Sequence, residues 1–395
     1  MAKRKAVETV EQKQVKKPTK TPNKASISIC IPSSVISNKN AHNLEQKTMI
    51  AYQIAKACLI YNVSEIIVLN VPQKQDMAET TKVEPVTVGN KVLFNEDLNG
   101  DDSSTTKTKS TTKNAGRDKS HSGEDAILLA SLFQFFITPP YLVKTVFSPS
   151  LNPQFKHIMP KFKHAYKLPK ITTLPFMQNN EVYRDFKEGI VIPRETPKVK
   201  QRSGMKAKSP HKVTVSKYVN VGEAQAIKLE IKREVPIYSR ITVDLKNRTI
   251  VSPQAAYGVT GHKSSFGYLV RLINETGEFN KVFTGAPLEQ GYTRTVFVPC
   301  DDYFDKVGKV ISEVERYQGD DDDDDAEEKE KGDKNLLVVL GNYWDFQRSF
   351  ELDEAKDSMF AGITGVEKLF DYKLDIPRGV RIEDGVLIAL TRLLE

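Results

Sequence analysis

The stretch SISICIPSSVISNKNAHNLEQKTMIAYQIAKACLIYNVSEIIVL, residues 26–69, decides the fold. Its first seven residues carry β-branched side chains in alternation and stop at Pro32, which predicts a strand. In NLEQKTMIAYQIAKACLIYN, 43–62, Leu44, Thr48, Ala51, Tyr52, Ala55, Cys58 and Leu59 recur at helical spacing. EIIVLNVP, 65–72, is a short apolar run of the kind buried on both faces of a parallel sheet. Strand, helix and strand in this order make a βαβ unit, so the two strands run parallel with a right-handed crossover.

Further along, DAILLASLFQFF, 125–136, resumes a helical pattern that Pro139-Pro140 ends. Near residue 188 the period changes. GIVIP (189–193), AIKLEIKRE (226–234), SRITVDL (239–245) and RTIVSP (248–253) read as short strands, with turn signals at Val235-Pro236 and Lys246-Asn247. They predict a small antiparallel barrel of OB type inserted into an α/β domain. Buried-strand runs return in GYLVRLIN, TRTVFVP and LLVVLGN. The closing EDGVLIALTRLLE is a helix with Val386, Leu387, Leu390 and Leu394 on its apolar face. The organisation expected is a disordered basic tail (1–24), a first α/β part (25–187) with a flexible insertion (74–123), the OB-like barrel (188–252), and a second α/β part (253–395) with an acidic loop (301–334).

Composition narrows the chemistry. Lys and Arg number 58 against 51 Asp and Glu, a net charge of +7 despite the block Asp320–Asp325, which favours a polyanionic partner. No run of about 18 apolar residues exists, so no membrane span is expected. The basic N-terminus lacks the apolar segment of a secretory signal. Cys30, Cys58 and Cys300 form no CxxC pair, and six scattered histidines offer no metal spacing; neither a zinc site nor a disulfide framework is expected, and a reducing compartment fits. The turn after the first strand has no GxGxxG and the chain has no GxxxxGK[ST], which excludes the usual nucleotide cradles.

Two regions carry positive charge. QFKHIMPKFKHAYKLPK, 154–170, interleaves Lys156, Lys161, Lys163, Lys167 and Lys170 with Phe155, Phe162 and Tyr166, a pattern suited to phosphates and stacked bases. Residues 196–217 carry Lys198, Lys200, Arg202, Lys206 and Lys208 and no carboxylate, a basic loop for sequence-independent phosphate contact. Lys3-Arg4-Lys5 and Lys16-Lys17 suit a nuclear import signal or a phosphate-binding arm.

The C-terminal third holds the remaining candidates. LLVVLGNYWD, 336–345, is a buried-type strand ending at Gly341-Asn342, and ligands of α/β sheets sit beyond the carboxyl ends of strands. The loop before the last helix contains Asp375, Pro377, Arg378, Gly379 and Arg381, the composition of a pocket rim. Glu383 and Asp384 in the first turn of that helix favour its dipole.

Taken in order, SISICIPSSVI…AYQIAKACLIYNVSEIIVL, LFQFFITPPYLVKTVF…EVYRDFKEGIVIP, FGYLVRL, VVLGN and FDYKLDIPRGVRIEDGVLIAL resemble the SPOUT-class, knotted RNA methyltransferases of archaeal–eukaryotic type with an OB-like insertion. The resemblance implies an α/β fold with a C-terminal trefoil knot, S-adenosyl-L-methionine as cofactor, a homodimer, and RNA, ribosomal or pre-ribosomal, as partner within a nuclear, nucleolar particle. By position it implies that Leu340, Gly341 and Asn342 line the cofactor pocket. Leu374, Asp375, Ile376, Pro377 and Gly379 wrap the cofactor through backbone groups, and Arg378 and Arg381 face the methyl donor and the RNA. VPCDD, 298–302, stands where relatives carry a Gly-Thr-Ser-like loop, and Asp375 where an amide is common. A catalytically degenerate relative serving as an RNA-binding ribosome-assembly factor is the alternative.

Overall fold

The computed structural model describes residues 26–71, 86–88, 91–93, 121–178, 185–193, 199–200, 206–207, 214–263, 266–287, 290–318 and 335–394. The tail 1–24, most of the insertion 74–123 and the aspartate block lie outside these residues, as do Lys198, Arg202 and Lys208.

β1 (Ser26–Pro32), α1 (Leu44–Ile60) and β2 (Glu65–Leu69) form the expected βαβ unit, with β1 and β2 parallel and Ser28 opposite Glu65. The Asn43 side chain caps α1 by accepting a hydrogen bond from the Gln46 N–H at 2.8 Å. α2 (His121–Phe136) follows.

A second sheet holds β3 (Phe186–Ile192), β4 (Tyr218–Asn220), β5 (Ile227–Lys228), β6 (Arg240–Asp244) and β7 (Thr249–Val251) in the antiparallel order β5-β4-β3-β6-β7. Val191, Val219, Val221, Leu229, Ile241 and Val243 form its core. The strand expected over 226–234 pairs only at Ile227–Lys228. Beyond it the backbone leaves the ladder, because the Leu229 N–H donates to Lys217 O and the Glu230 N–H to Arg248 O, both at 2.8 Å. This sheet is tied to the rest of the molecule by a buried network. Arg240 donates to Ile137 O at the end of α2 (2.9 Å), lies 3.4 Å from Glu188, and stacks over Phe176 at 4.6 Å. Glu188 accepts from Thr242 (2.8 Å) and Tyr257 (3.0 Å).

The chain then returns to the first sheet through β8 (Leu269–Ile273), β9 (Arg294–Pro299), β10 (Glu315–Arg316), β11 (Asn335–Gly341) and β12 (Tyr372–Lys373). With β1 and β2 these give a seven-stranded sheet, order β8-β2-β1-β11-β9-β12-β10, in which every pairing is parallel. All seven residues of β11 are buried, as a central strand covered on both faces requires. α3 (Tyr343–Glu351) sends Phe346 and Phe350 into the core on one face, with Cys30, Ile67, Phe297 and Leu337. On the other face α1, α2 and α4 (Ile382–Leu394) share a core that includes Ile54, Phe133, Val338, Val386 and Leu390. The buried side of α4 is Ile382, Val386, Ala389 and Leu390; Leu387 and Leu394, expected on the apolar face, are exposed, because the helix presents only one stripe to α1 and β11. Tyr61 and Thr391 join α1 to α4 through hydroxyls 2.6 Å apart.

Candidate active site at the carboxyl ends of the central strands

From β1 the chain moves to β2 and, later, β8 on one side; from β11 it moves past β9 to β12 on the other. The β1/β11 boundary is thus where strand progression reverses, the position at which α/β sheets bind ligands. A cleft of about 1390 Å³ opens there, lined among others by Ser33, Ser34, Asn40, Asp301, Asn342 and Trp344. That exceeds the usual pocket for a small ligand.

Each wall follows from a strand end. Ser33 and Ser34 continue directly from β1; Asn342 and Trp344 continue from β11 into the first turn of α3, where the Asn342 side chain accepts from the Trp344 N–H at 3.0 Å. Asp301 stands two residues beyond β9, which pairs with β11 through Pro299 and Gly341. Most cleft carboxylates are engaged: Asp345 accepts from Ser34 at 2.5 Å and pairs with Arg348, Asp125 holds Lys47 at 2.7 Å, and Glu124 lies 3.7 Å from Lys161. The Asp301 carboxylate accepts no hydrogen bond from any described residue. Its backbone lies at φ +60°, a conformation uncommon outside glycine, asparagine and aspartate. The cleft walls desolvate its carboxylate and raise its pKa against the opposing pull of Arg381, with Asp345 adding to the rise.

The three segments singled out around the cofactor converge. Cys300 N–H donates to Gly341 O at 3.0 Å, Asp301 N–H to Val380 O at 2.9 Å, and Gly379 N–H to Asp302 O at 3.3 Å. Gly379 has φ +73°, where a side chain strains the backbone, and a Cβ on it would sit 2.7 Å from the exposed Tyr303 ring. Arg381 is held between Glu383 (2.8 Å) and Asn40 O (3.2 Å), close to Asp301. Arg378 is paired with Asp305 at 2.7 Å in the open, and Asp375 with Arg316 at 3.0 Å. Leu340 and Leu374 are buried core residues; Ile376 packs near Gly385, and Pro377 is exposed. Gly341, which the resemblance places beside the cofactor, is not among the residues lining the cleft. At φ +154° its missing Cβ would meet Pro32 Cγ at 2.9 Å and Phe346 Cε2 at 3.0 Å, so close packing fills that side.

A cationic sulfonium cofactor needs anions and donors near its charge. Glu383 is 8 % exposed, one of its oxygens is buried with no partner, and burial raises its pKa. That orphaned oxygen, beside Arg381, fits a ligand carrying positive charge. Among the described residues no group of His, Cys, Asp and Glu could hold a metal, and all three cysteines are buried and free.

Of the basic segment, Lys156, Lys163, Tyr166 and Lys167 are exposed, and Lys161 is half-buried beside Glu124. Phe162, expected to meet RNA bases, is fully buried between Phe135 and Phe147, with ring centroids 4.9 and 4.8 Å away; it is a core residue because its short helical turn faces α2. Lys200 and Lys206 fall in two paired short strands. Sequence reasoning missed Ser33, Ser34, Trp344 and the Asp345–Arg348 pair. The serine doublet directly after a buried strand was the available signal.

A family model described as "Putative RNA methyltransferase" matches residues 26–393. The chain belongs to this RNA methyltransferase family. Among its relatives, the "Putative methyltransferase YMR310C" of Saccharomyces cerevisiae is 30% identical over 369 residues, covering 93% of this chain and 92% of the yeast protein. The "28S rRNA (uridine-N(3))-methyltransferase" of Drosophila melanogaster is 24% identical over 388 residues, 95% of this chain and 63% of the fly protein. The human protein of the same description is 25% identical over 278 residues, 68% of this chain and 57% of its own length. The methyltransferase family thus spans both sheets of the molecule and the cleft at their strand ends.

Proposed function

We propose that this protein transfers a methyl group from S-adenosyl-L-methionine to a ring nitrogen of uridine in ribosomal or pre-ribosomal RNA. The observation that carries the reading is the convergence of the 300–302, 341–342 and 374–381 segments beside Arg381 and the unpartnered Glu383 oxygen. Asn342, the backbone of 374–379 and Glu383 would hold the cofactor. When bound, it supplies a methyl group on a positively charged sulfur. The chain's own residues position the acceptor, exclude water from the reacting atoms and fix Arg381 where negative charge develops.

Several finer points belong to the same reading. After β12, on the far side of β9, the chain turns back across the strand ends, bonds to 301 and 302, and enters α4 against α1. This path supports a C-terminal segment that passes back across the strand ends as a trefoil knot. The antiparallel sheet serves as an OB-like RNA platform, an insertion over 188–252. The exposed Leu387 and Leu394 on α4 supply the contact of a homodimer. The exposed Lys156, Lys163 and Lys167 meet RNA phosphates, aided by the basic loop after residue 196, and the basic tail directs the protein to the nucleus and nucleolus.

Packing around Gly341 favours a second reading, an RNA-binding ribosome-assembly factor without catalysis, because Pro32 and Phe346 occupy space a ligand would use. Calorimetric titration of the full chain with S-adenosylmethionine separates the two. Micromolar binding supports the enzyme, and absence of binding by folded protein leaves the assembly factor.

A further inference from the structure

We propose that Asp301 is the proton acceptor for the ring N–H of a uracil-type base lodged in the cleft, and that Trp344 is the surface on which that base stacks. The assignment rests on the methyltransferase reading above and deepens it.

Asp301 and Trp344 line the same cleft from the ends of two adjacent paired strands. Trp344 is 48 % exposed although it is the chain's one tryptophan, and an open indole in a cleft offers a base a stacking face. Asp345, Asp125 and Glu124 are engaged by Ser34 and Arg348, Lys47 and Lys161 respectively, whereas the Asp301 carboxylate accepts no hydrogen bond from a described residue. It is open to the cleft on one side and joined through its own N–H to Val380, next to Arg381, on the other. It therefore sits between the space for an acceptor and the segment assigned to the donor. Its left-handed backbone is the kind of local strain that concentrates at functional sites. The charged groups facing it are Arg381, Asp345 with its partner Arg348, and Glu383.

The balance is simple. A nitrogen–carbon bond forms as the carbon–sulfur bond breaks, the electron pair of the broken bond remains on sulfur, and the N–H proton passes to Asp301 and on to water. Positive charge on sulfur and the negative charge left on the ring are both removed.

The test uses the full chain and its D301N variant, since asparagine tolerates the left-handed backbone and leaves the fold intact. Calorimetry with S-adenosylmethionine is run first. D301N is expected to bind it as the wild type does and to transfer methyl groups to a uridine RNA about 10²–10⁴-fold more slowly. A 5-fluorouridine RNA, whose ring N–H is more acidic, is expected to recover part of that loss. Transfer by D301N at the wild-type rate overturns the assignment of Asp301. A wild type that binds no cofactor overturns the underlying function instead. Trp344→Ala with unchanged oligouridylate affinity overturns the stacking role.

Discussion

Replacing Gly341 with alanine puts a single methyl group where the structure leaves no room. The new Cβ would lie 2.9 Å from Pro32 Cγ and 3.0 Å from Phe346 Cε2. Neither neighbour is the loose end of a flexible chain: one is a ring at the end of β1, the other a fully buried aromatic packed against Phe297 at 6.0 Å. Overpacking of this kind costs about 1–3 kcal/mol, and holding a non-glycine residue at φ +154° costs about 1–3 kcal/mol more. G341A is therefore expected to lose ~2–6 kcal/mol, a large share of the roughly 5–15 kcal/mol that holds a typical domain folded. Urea denaturation followed by tryptophan fluorescence and far-ultraviolet circular dichroism reads this as a lower midpoint at unchanged slope. Calorimetry on the surviving folded fraction reads cofactor affinity alongside it. A variant as stable as the wild type that has lost cofactor binding would refute the reasoning, because the glycine would then serve a ligand rather than Pro32 and Phe346.

Neutralising Lys161, Lys163 and Lys167 together is expected to lower the salt slope of RNA binding, measured by fluorescence anisotropy, by about 1.5–2, since each exposed lysine contributes ~0.7–0.9 and Lys161 less because Glu124 already faces it; an unchanged slope places RNA elsewhere. Arg240→Met strands a buried Glu188 and is expected to cost about 3–5 kcal/mol in chemical denaturation, while the double variant Arg240→Met with Glu188→Leu recovers much of that. The pKa of Asp301 is raised in the folded chain, so the folded state binds its proton more tightly than the unfolded state; stability from this group falls as pH rises from the ordinary aspartate range through the folded value. D301N is accordingly expected to flatten the decline in urea midpoint across that interval, and an unaltered pH profile would count against it.

The parallel sheet was legible because its strands are nearly pure apolar runs. EIIVL and NLLVVLG are buried from end to end and SISIC from Ile27 onward, and only a strand covered on both faces tolerates such composition. The region after residue 225 misled because IKLEI alternates as a strand does, yet the backbone at Leu229 and Glu230 bonds to Lys217 and Arg248. Phe162 misled for a related reason: lysines on either side made a basic surface stretch, and the ring between them turns inward onto Phe135 and Phe147. The Pro, Gly and arginines of 374–381 suggested a pocket rim, yet none of these residues lines the cleft. What draws the loop towards it, the bonds from 300–302 across to 341, 379 and 380, joins residues remote in sequence and leaves no local pattern.

The neighbour of the first strand is nearly the last one made. Ser26 faces Asn335 and Cys30 faces Val339, so during synthesis one edge of β1 waits bare while some three hundred residues emerge. An apolar, hydrogen-bonding edge left unsatisfied that long invites association with other nascent chains. Formation of the native core is thereby slow and set by a very distant pairing, and a message truncated before β11 yields a product whose centre never closes.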